Sequence, residues 1–334
     1  MNRTKIGVFR TDNGLESALK EALKAADWTK HIGGKVFLKP NLCSKYYIPG
    51  AVTNPKVLFH LVGLLRDRAE DVVVGESDGY NYCCNDALAM TGVKKIVEKA
   101  GGRTVNLSED ETVKVESSRT FCLHNFPLPK TIVESDSFVD VPVMKTHEFT
   151  NYSGAIKNLF GCIPDDRRIF FHPKFGMVLH DLIVLLKPKF VVTDATYSME
   201  GNGPNRGIVV PMNLILAGSD VLAMDKLCTE IMGINWADIG YLKFIDQHYR
   251  REETETQVIG ENIEDLKRAF RLPYLDAAVR AQRWVYKSYF LTRLCFGTPF
   301  LNMLQGCLNV YRKVDEEIKG KEWVEKHWDN SLPR

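Results

Sequence analysis

The chain has 334 residues, 45% of them hydrophobic and 26% charged, enough to bury a sizeable core in one elaborated domain or two. With 44 basic residues against 42 acidic ones the formal charge is +2, so no global field draws the protein to nucleic acid or to membrane and any electrostatic function has to be local. The opening MNRTKIGVFRTDNG has too short an apolar run for a signal peptide, and no segment offers the roughly 18 uncharged apolar residues of a spanning helix; a cytoplasmic location is the expectation.

The first half alternates β-rich runs with amphipathic stretches: KIGVFR, LESALKEALKAADW, KVFLKP, NPKVLFHLVGLLRDR, DVVVGES and VKKIVEKAG. This order predicts an α/β fold, a largely parallel sheet with helices on both faces. The strands run into polar or glycine-containing loops at 10–14, 39–54 and 75–86, and ligands of open parallel sheets bind at the carboxyl ends of strands. In LKPN, Lys39 and Asn41 follow a strand directly, and Pro40 denies the ladder a donor. VTNPKVL offers Thr53 or Asn54 as a helix cap ahead of Pro55, and the exposed amides of such a helix start attract anions.

GESDG puts Glu76 and Asp78 at the end of the third strand. Two carboxylates there either bind a divalent cation, orient hydroxyls or accept a proton, or else cap the next helix. The eight cysteines lack the spacings of a zinc or iron–sulfur site and are too dilute for a disulfide scaffold, with the vicinal pair Cys83-Cys84 as the one candidate for redox or metal involvement.

SFVDVPVMKTH predicts a strand that leads into MKTHEFTNYSGAIKNLFG, residues 144–161. Alternation sends Lys145 and His147 to the same side, and Lys157 and Asn158 lie on a short helical GAIKNLFG. Two ammonium groups, an imidazole and an amide suit a carboxylate or phosphate, and a desolvated lysine can serve as a base. IPDDRRIFFHPKFG adds Asp165, Asp166, Arg167, Arg168 and His172.

The strand KFVVTDAT carries Asp194 near its end and is followed by MEGNGPNRG, residues 199–207. This loop is neither a dinucleotide fingerprint nor a phosphate loop. Its glycines permit close backbone approach to a ligand and Arg206 supplies a fork for an anion, with a plain surface turn as the competing reading. IVVPMNLILAGSD is a further strand, DVLAMDKLCTEIMG a helix starting at Asp220, and REETET (251–256) a charged turn.

From Arg271 to Lys313 there are seven basic residues against one acidic, Asp276, with many aromatics and a Gly-Thr-Pro break. Two amphipathic helices are expected there, either lying on a membrane surface or packing on the body or a second subunit. The chain therefore divides into an α/β body, 1–250, and a helical, basic-aromatic extension with its tail, 251–334.

KPN, TNP, VGESDG, VPVMKTH, GAIKNLFG, Phe171-His172, VTDAT, EGNGP and SDVLAMD together resemble the domain of unknown function family 362, over about residues 4–235 and in that family's order. Many members carry a ferredoxin-like module with two four-iron clusters, which implies redox work for those members. This sequence has no CxxCxxCxxxC run, so the resemblance implies no cluster in this chain. The family's α/β body is also similar, in fold, to the N-terminal part of the nickel-pincer lactate racemases; no racemase residue is carried across, and the comparison adds only proton transfer on a small hydroxy or carboxylic acid by Lys and His pairs.

The leading expectation is a cytoplasmic enzyme for a small anionic metabolite or head group. Lys145, His147 and His172 are its acid-base candidates; Lys39, Asn41, Lys157, Asn158, Arg168 and Arg206 hold and orient the anion; Glu76, Asp78 and Asp194 are the candidate ligands of a divalent metal. Two other classes compete: a redox accessory protein that borrows a partner's iron–sulfur cluster, and a membrane-surface binding module using 271–313.

Overall fold

The computed structural model describes residues 3–79, 82–249 and 255–297. Its strands are β1 (Arg3–Arg10), β2 (Gly34–Pro40), β3 (Ala69–Glu76), β4 (Arg103–Asn106), β5 (Thr112–Val115), β6 (Phe126–Pro129), β7 (Ser137–Val141), β8 (Val143–His147), β9 (Asn151–Ser153), β10 (Phe190–Glu200), β11 (Ile208–Gly218) and β12 (Glu255–Gly260). The helices are α1 (Leu15–Ala25), α2 (Pro55–Arg66), α3 (Cys84–Met90), α4 (Val93–Lys99), α5 (Lys130–Val133), α6 (Ala155–Asn158), α7 (Phe175–Leu186), α8 (Val221–Ile231), α9 (Gly240–His248), α10 (Ile263–Leu266), α11 (Ala277–Lys287) and α12 (Tyr289–Gly297).

The main sheet has the order β12-β1-β11-β10-β7-β2-β3-β4, while β5 and β6 form a separate antiparallel pair. β10, β7, β2, β3 and β4 are mutually parallel; β11 runs against β10 and β1, and β12 lies parallel to β1 at the edge. The expected largely parallel sheet is present, with one reversed strand in its path. β7 and β8 follow the same neighbour across Pro142: β7 pairs with Phe190 and Val191, and β8 resumes against Asp194 and Met199 of β10. β9 then folds back on β8, with Ser153 opposite Lys145 and Asn151 opposite His147.

Alternation sorts the strand side chains between two cores. Val36, Leu38, Val72, Val74 and Val139 pack with the apolar stripes of α1, α2 and α4, whereas Phe37, Val73 and Phe138 pack with those of α7, α8 and α9. Leu58, Leu61 and Leu65 of α2 are fully buried, each worth roughly 2 kcal/mol by area. α2 starts as its sequence requires, with Asn54 Oδ1 accepting from the Lys56 amide and Pro55 at the first helical position. Asp220 caps α8 in the same way, accepting from the Leu222 and Ala223 amides.

Among the described residues one stretch, Arg168–Leu186, is long and apolar enough by composition to cross a membrane. Its first part is a 3-10 run, Asp166–Lys174, and every residue of α7 from Val178 to Leu186 is buried in the second core. Twelve α-helical residues also rise only about 18 Å, against the ~30 Å of a bilayer's hydrocarbon layer.

The C-terminal stretch contains the two expected amphipathic helices, α11 and α12, and everything from 298 onward lies outside the described residues. The boundary at 250 does not coincide with the edge of the sheet. Residues 251–254 of the expected charged turn fall outside the description, but Glu255 and Thr256 open β12, which pairs with β1. Leu266 and Phe270 then enter the second core.

Candidate functional site

The parallel strands bring their carboxyl ends to one edge, and the residues after β2, β3 and β8 meet there. At its floor Lys39 is fully buried, donating to Glu76 Oε2 and, over 2.8 Å, to the Pro40 carbonyl. Glu76 Oε1 takes the Ser77 amide at 3.0 Å. Gly161 closes over this pair; a Cβ there would stand 2.4 Å from Glu76 Oε1 and 2.8 Å from Lys39 Nζ. Lys39 was expected to hold an anion, but its charge is already balanced inside the protein.

Lys145 is equally enclosed. Its ammonium donates to Asn41 Oδ1 and the Ala51 carbonyl, with Cys43 Sγ at 3.6 Å as its third neighbour. Burial pulls its pKa below the lysine range, with the Cys43 thiol pulling the other way. Asn41 is therefore engaged with Lys145 through its Oδ1. Asn158 is likewise a brace, its amide donating to Asp140 Oδ1 at 2.7 Å and to the Lys39 carbonyl at 3.1 Å.

Four further groups, Lys157, Arg168, His147 and His172, are linked by the influence of their charges on one another. Lys157, on α6, is half-buried, and its pKa falls to about 7 because of burial first and then the charge of Lys145. No carboxylate contributes to its field, and no hydrogen bond or ion pair engages its ammonium among the described residues. Arg168 donates through Nη1 to Ser77 Oγ and to the Ile163 carbonyl, and its positive charge acts on Lys157.

The two histidines complete the set. His147 is held neutral by burial and by the nearby Lys157 and Lys145, and its Nδ1 accepts the Phe149 amide at 3.1 Å, which leaves the ring proton on Nε2. Burial drives His172 down to about 4, and its Nδ1 donates to the Ile169 carbonyl at 2.8 Å, which leaves a lone pair on Nε2. The two rings thus present opposite tautomers, one offering a proton and the other an acceptor. Lys157 lowers both.

The remaining expectations land elsewhere. Asp78 Oδ1 accepts the Cys84 amide at 2.7 Å and the Asn106 side chain at 3.2 Å, so it starts α3. Asp194 takes the Asn54 amide at 2.7 Å through Oδ2, and the Thr196 amide and hydroxyl through Oδ1, so it ties α2 to β10. With Glu76 on Lys39, the three carboxylates are separately occupied, and among the described residues no three His, Cys, Asp or Glu gather as a metal-holding set. Arg206 is paired within the chain, its Nη2 donating to Glu148 Oε2 at 2.8 Å. The glycine loop is a junction, because Thr146 Oγ1 donates to the Gly201 carbonyl, the Glu148 amide to the Gly203 carbonyl, and Asn202 exchanges hydrogen bonds with the backbone of Tyr274. Cys83 is exposed and Cys84 buried, its thiol donating to the Glu76 carbonyl at 3.1 Å. The side chains of Asp166 and Arg167 lie outside the described residues.

Several residues that matter here carry no signature in the sequence. Asp140 on β7 is fully buried; burial pushes its carboxyl well above the usual range against the pull of Lys39, and its Oδ2 has no hydrogen-bond partner among the described residues. Asp225 on α8 accepts from Tyr152 Oη and from the Ala155 and Ile156 amides, so a distant helix fixes the start of α6. Tyr286 of α11 stacks on His172, ring centroids 4.4 Å apart, and Arg283 donates to the Glu148 carbonyl and to Asn151. Asp225 lies in the run SDVLAMD, Asp140 in SFVDVPVMKTH, and Arg283 and Tyr286 in the basic-aromatic stretch, but nothing local in these runs marks what the side chains touch.

A family model described as "Domain of unknown function (DUF362)" matches residues 36–230, more than half of the chain and all of the strand-end groups just described except the α11 contacts. The chain belongs to the DUF362 family. A thylakoid-associated protein of Synechocystis is 26% identical over 223 residues, 62% of this chain and 65% of that protein, so the chain spans just under two thirds of that relative's length. Among solved structures, the lactate racemase apoprotein of Thermoanaerobacterium thermosaccharolyticum aligns with a TM-score of 0.46 and 16% identity over 70% of this chain and 58% of that one. A Thermotoga maritima protein from structural genomics aligns with a TM-score of 0.30 and 13% identity over 57% and 52% of the two chains.

Proposed function

We propose that this DUF362 protein is an enzyme that binds a small carboxylate- or phosphate-bearing molecule above the strand ends and moves a proton on it. The observation that carries the reading is Lys157, a cation without a counter-ion among the described residues, set beside Arg168 and pulled to a pKa of about 7. Two adjacent positive groups that no carboxylate faces among the described residues leave an anion as the missing partner. Arg168 and the ammonium form of Lys157 hold that anion, and in its amine form Lys157 accepts a proton from the bound molecule. His147 Nε2–H and the lone pair of His172 supply the opposite senses of transfer at neutral pH.

Anion binding favours the charged lysine, so binding takes up a proton when the pH is above about 7, and affinity declines as the pH rises further. Calorimetric titration with acetate, lactate and phosphate in buffers of different ionisation enthalpy measures both effects. Lys157→Met is expected to lower anion affinity about tenfold or more and to abolish the proton uptake. If a folded Lys157→Met protein binds these anions as the parent does, the reading fails.

A further inference from the structure

α11 and α12 have two unlike faces. The inner one is fixed to the body: Val279, Thr292 and Phe296 are buried, Arg283 holds the Glu148 carbonyl, and Tyr286 lies on His172. The outer one carries Trp284, 65% exposed, and Phe290, 71% exposed, with Tyr289 and Leu294 beside them. Arg280, Lys287 and Arg293 are exposed between these rings, and residues 277–297 contain neither Asp nor Glu. Arg293 sits over the Tyr289 ring, 5.0 Å from its centroid.

Large aromatic side chains in water are unfavourable, and a patch whose charges among residues 277–297 are all positive calls for a surface that is both apolar and anionic. A second copy of the chain fits poorly, since a two-fold contact through this face would set its three cations against the same three. A bilayer with anionic headgroups meets both requirements, because aromatic rings settle at the headgroup level while Lys and Arg meet lipid phosphates. We propose that α11 and α12 form an interfacial pair that lays the protein on an anionic lipid surface, with Trp284, Tyr289 and Phe290 in the headgroup layer.

The contact is coupled to the body by position. Tyr286 and Arg283 of α11 line a cleft of about 450 Å³ together with His172, Phe149 and Phe175, so the docked helix roofs the space next to the imidazole. The proposal concerns the outer face and does not depend on what the strand-end site binds.

Flotation of the full chain with vesicles tests it. Phosphatidylcholine vesicles containing phosphatidylglycerol should carry the protein upward, pure phosphatidylcholine much less, and ~1 M salt, where the Debye length is about 3 Å, should weaken the association. Each basic group near an anionic leaflet contributes about fivefold, so Arg280→Gln, Lys287→Gln and Arg293→Gln together should lower partitioning about a hundredfold. Trp284→Ala with Phe290→Ala should lower it about tenfold or more while leaving thermal unfolding unchanged, since both side chains are exposed. No flotation, flotation indifferent to lipid charge, or unaltered flotation of both variants overturns the proposal. So does a concentration-dependent dimer that Trp284→Ala with Phe290→Ala dissolves in the absence of vesicle binding.

Discussion

Lys39, Lys145 and Lys157 have the same side chain and differ only in what surrounds the ammonium. Lys39 faces Glu76, Lys145 faces an amide oxygen and a carbonyl, and Lys157 faces other cations. The sequence shows that all three follow strand ends or lie near them, but it does not show that Glu76 reaches Lys39 across 37 positions or that Ala51 reaches Lys145 across 94. Pairing is set by tertiary contacts, so residue type and location were legible and charge state was not. Two outcomes follow for single side chains. Lys157 falls from 10.5 to about 7, so below pH 7 the fold carries the full cost of a desolvated charge; between 7 and 10.5 the unfolded chain holds more protons and stability rises with pH. Lys157→Met removes that cost, and urea unfolding should show a gain on the order of 1–3 kcal/mol near pH 6 that shrinks by about pH 10; an equal gain at both would place the effect elsewhere. Arg206, already on Glu148, is the contrasting case: Arg206→Ala should change anion affinity less than about twofold, where Arg168→Ala should lower it about tenfold.

At the scale of elements, α6 is four residues long, too short to hold itself in water. It is held by Asp225, which takes the Ala155 and Ile156 amides and the Tyr152 hydroxyl, and Gly154 leaves the room: a Cβ there would stand 2.0 Å from Tyr152 Oη and 2.3 Å from Asp225 Oδ1. Strands and long helices were readable because period 2 and period 3.6 recur in their apolar residues, as in α2, and because Asn54 and Asp220 cap helices by local bonds. A short helix secured from 70 positions away has no such local record, nor does the return of β9 onto β8. Asp225→Ala strands two buried amides and a phenol and should cost about 2–4 kcal/mol in chemical denaturation. Hydrogen exchange should accelerate first at Ala155 and Ile156; unchanged protection there would mean that α6 is held by its packing alone.

At the scale of the molecule, the sheet and not the composition decides where the body ends. The change to basic and aromatic residues made the C-terminal helices visible, yet the strand before them, β12, is short, mostly exposed and polar, and lacks the alternation that marks a strand. It pairs with β1 from Arg3 to Val8, and beyond it the Arg268 and Phe270 amides donate to the Ile231 and Met232 carbonyls at the end of α8. Residues 255–270 therefore pair and pack with the body, whereas α11 and α12 rest on its outside through Tyr286, Arg283 and a few apolar contacts. Two shortened chains separate these roles. A chain stopped after residue 275 keeps β12, Leu266 and Phe270, and its thermal midpoint should lie within about 5 °C of the full chain's. A chain stopped after residue 250 leaves β1 as an open edge and uncovers α8, and it should lose its cooperative transition or aggregate. If instead the second melts like the first in circular dichroism, β12 contributes nothing to the body, and the edge of the sheet is β1.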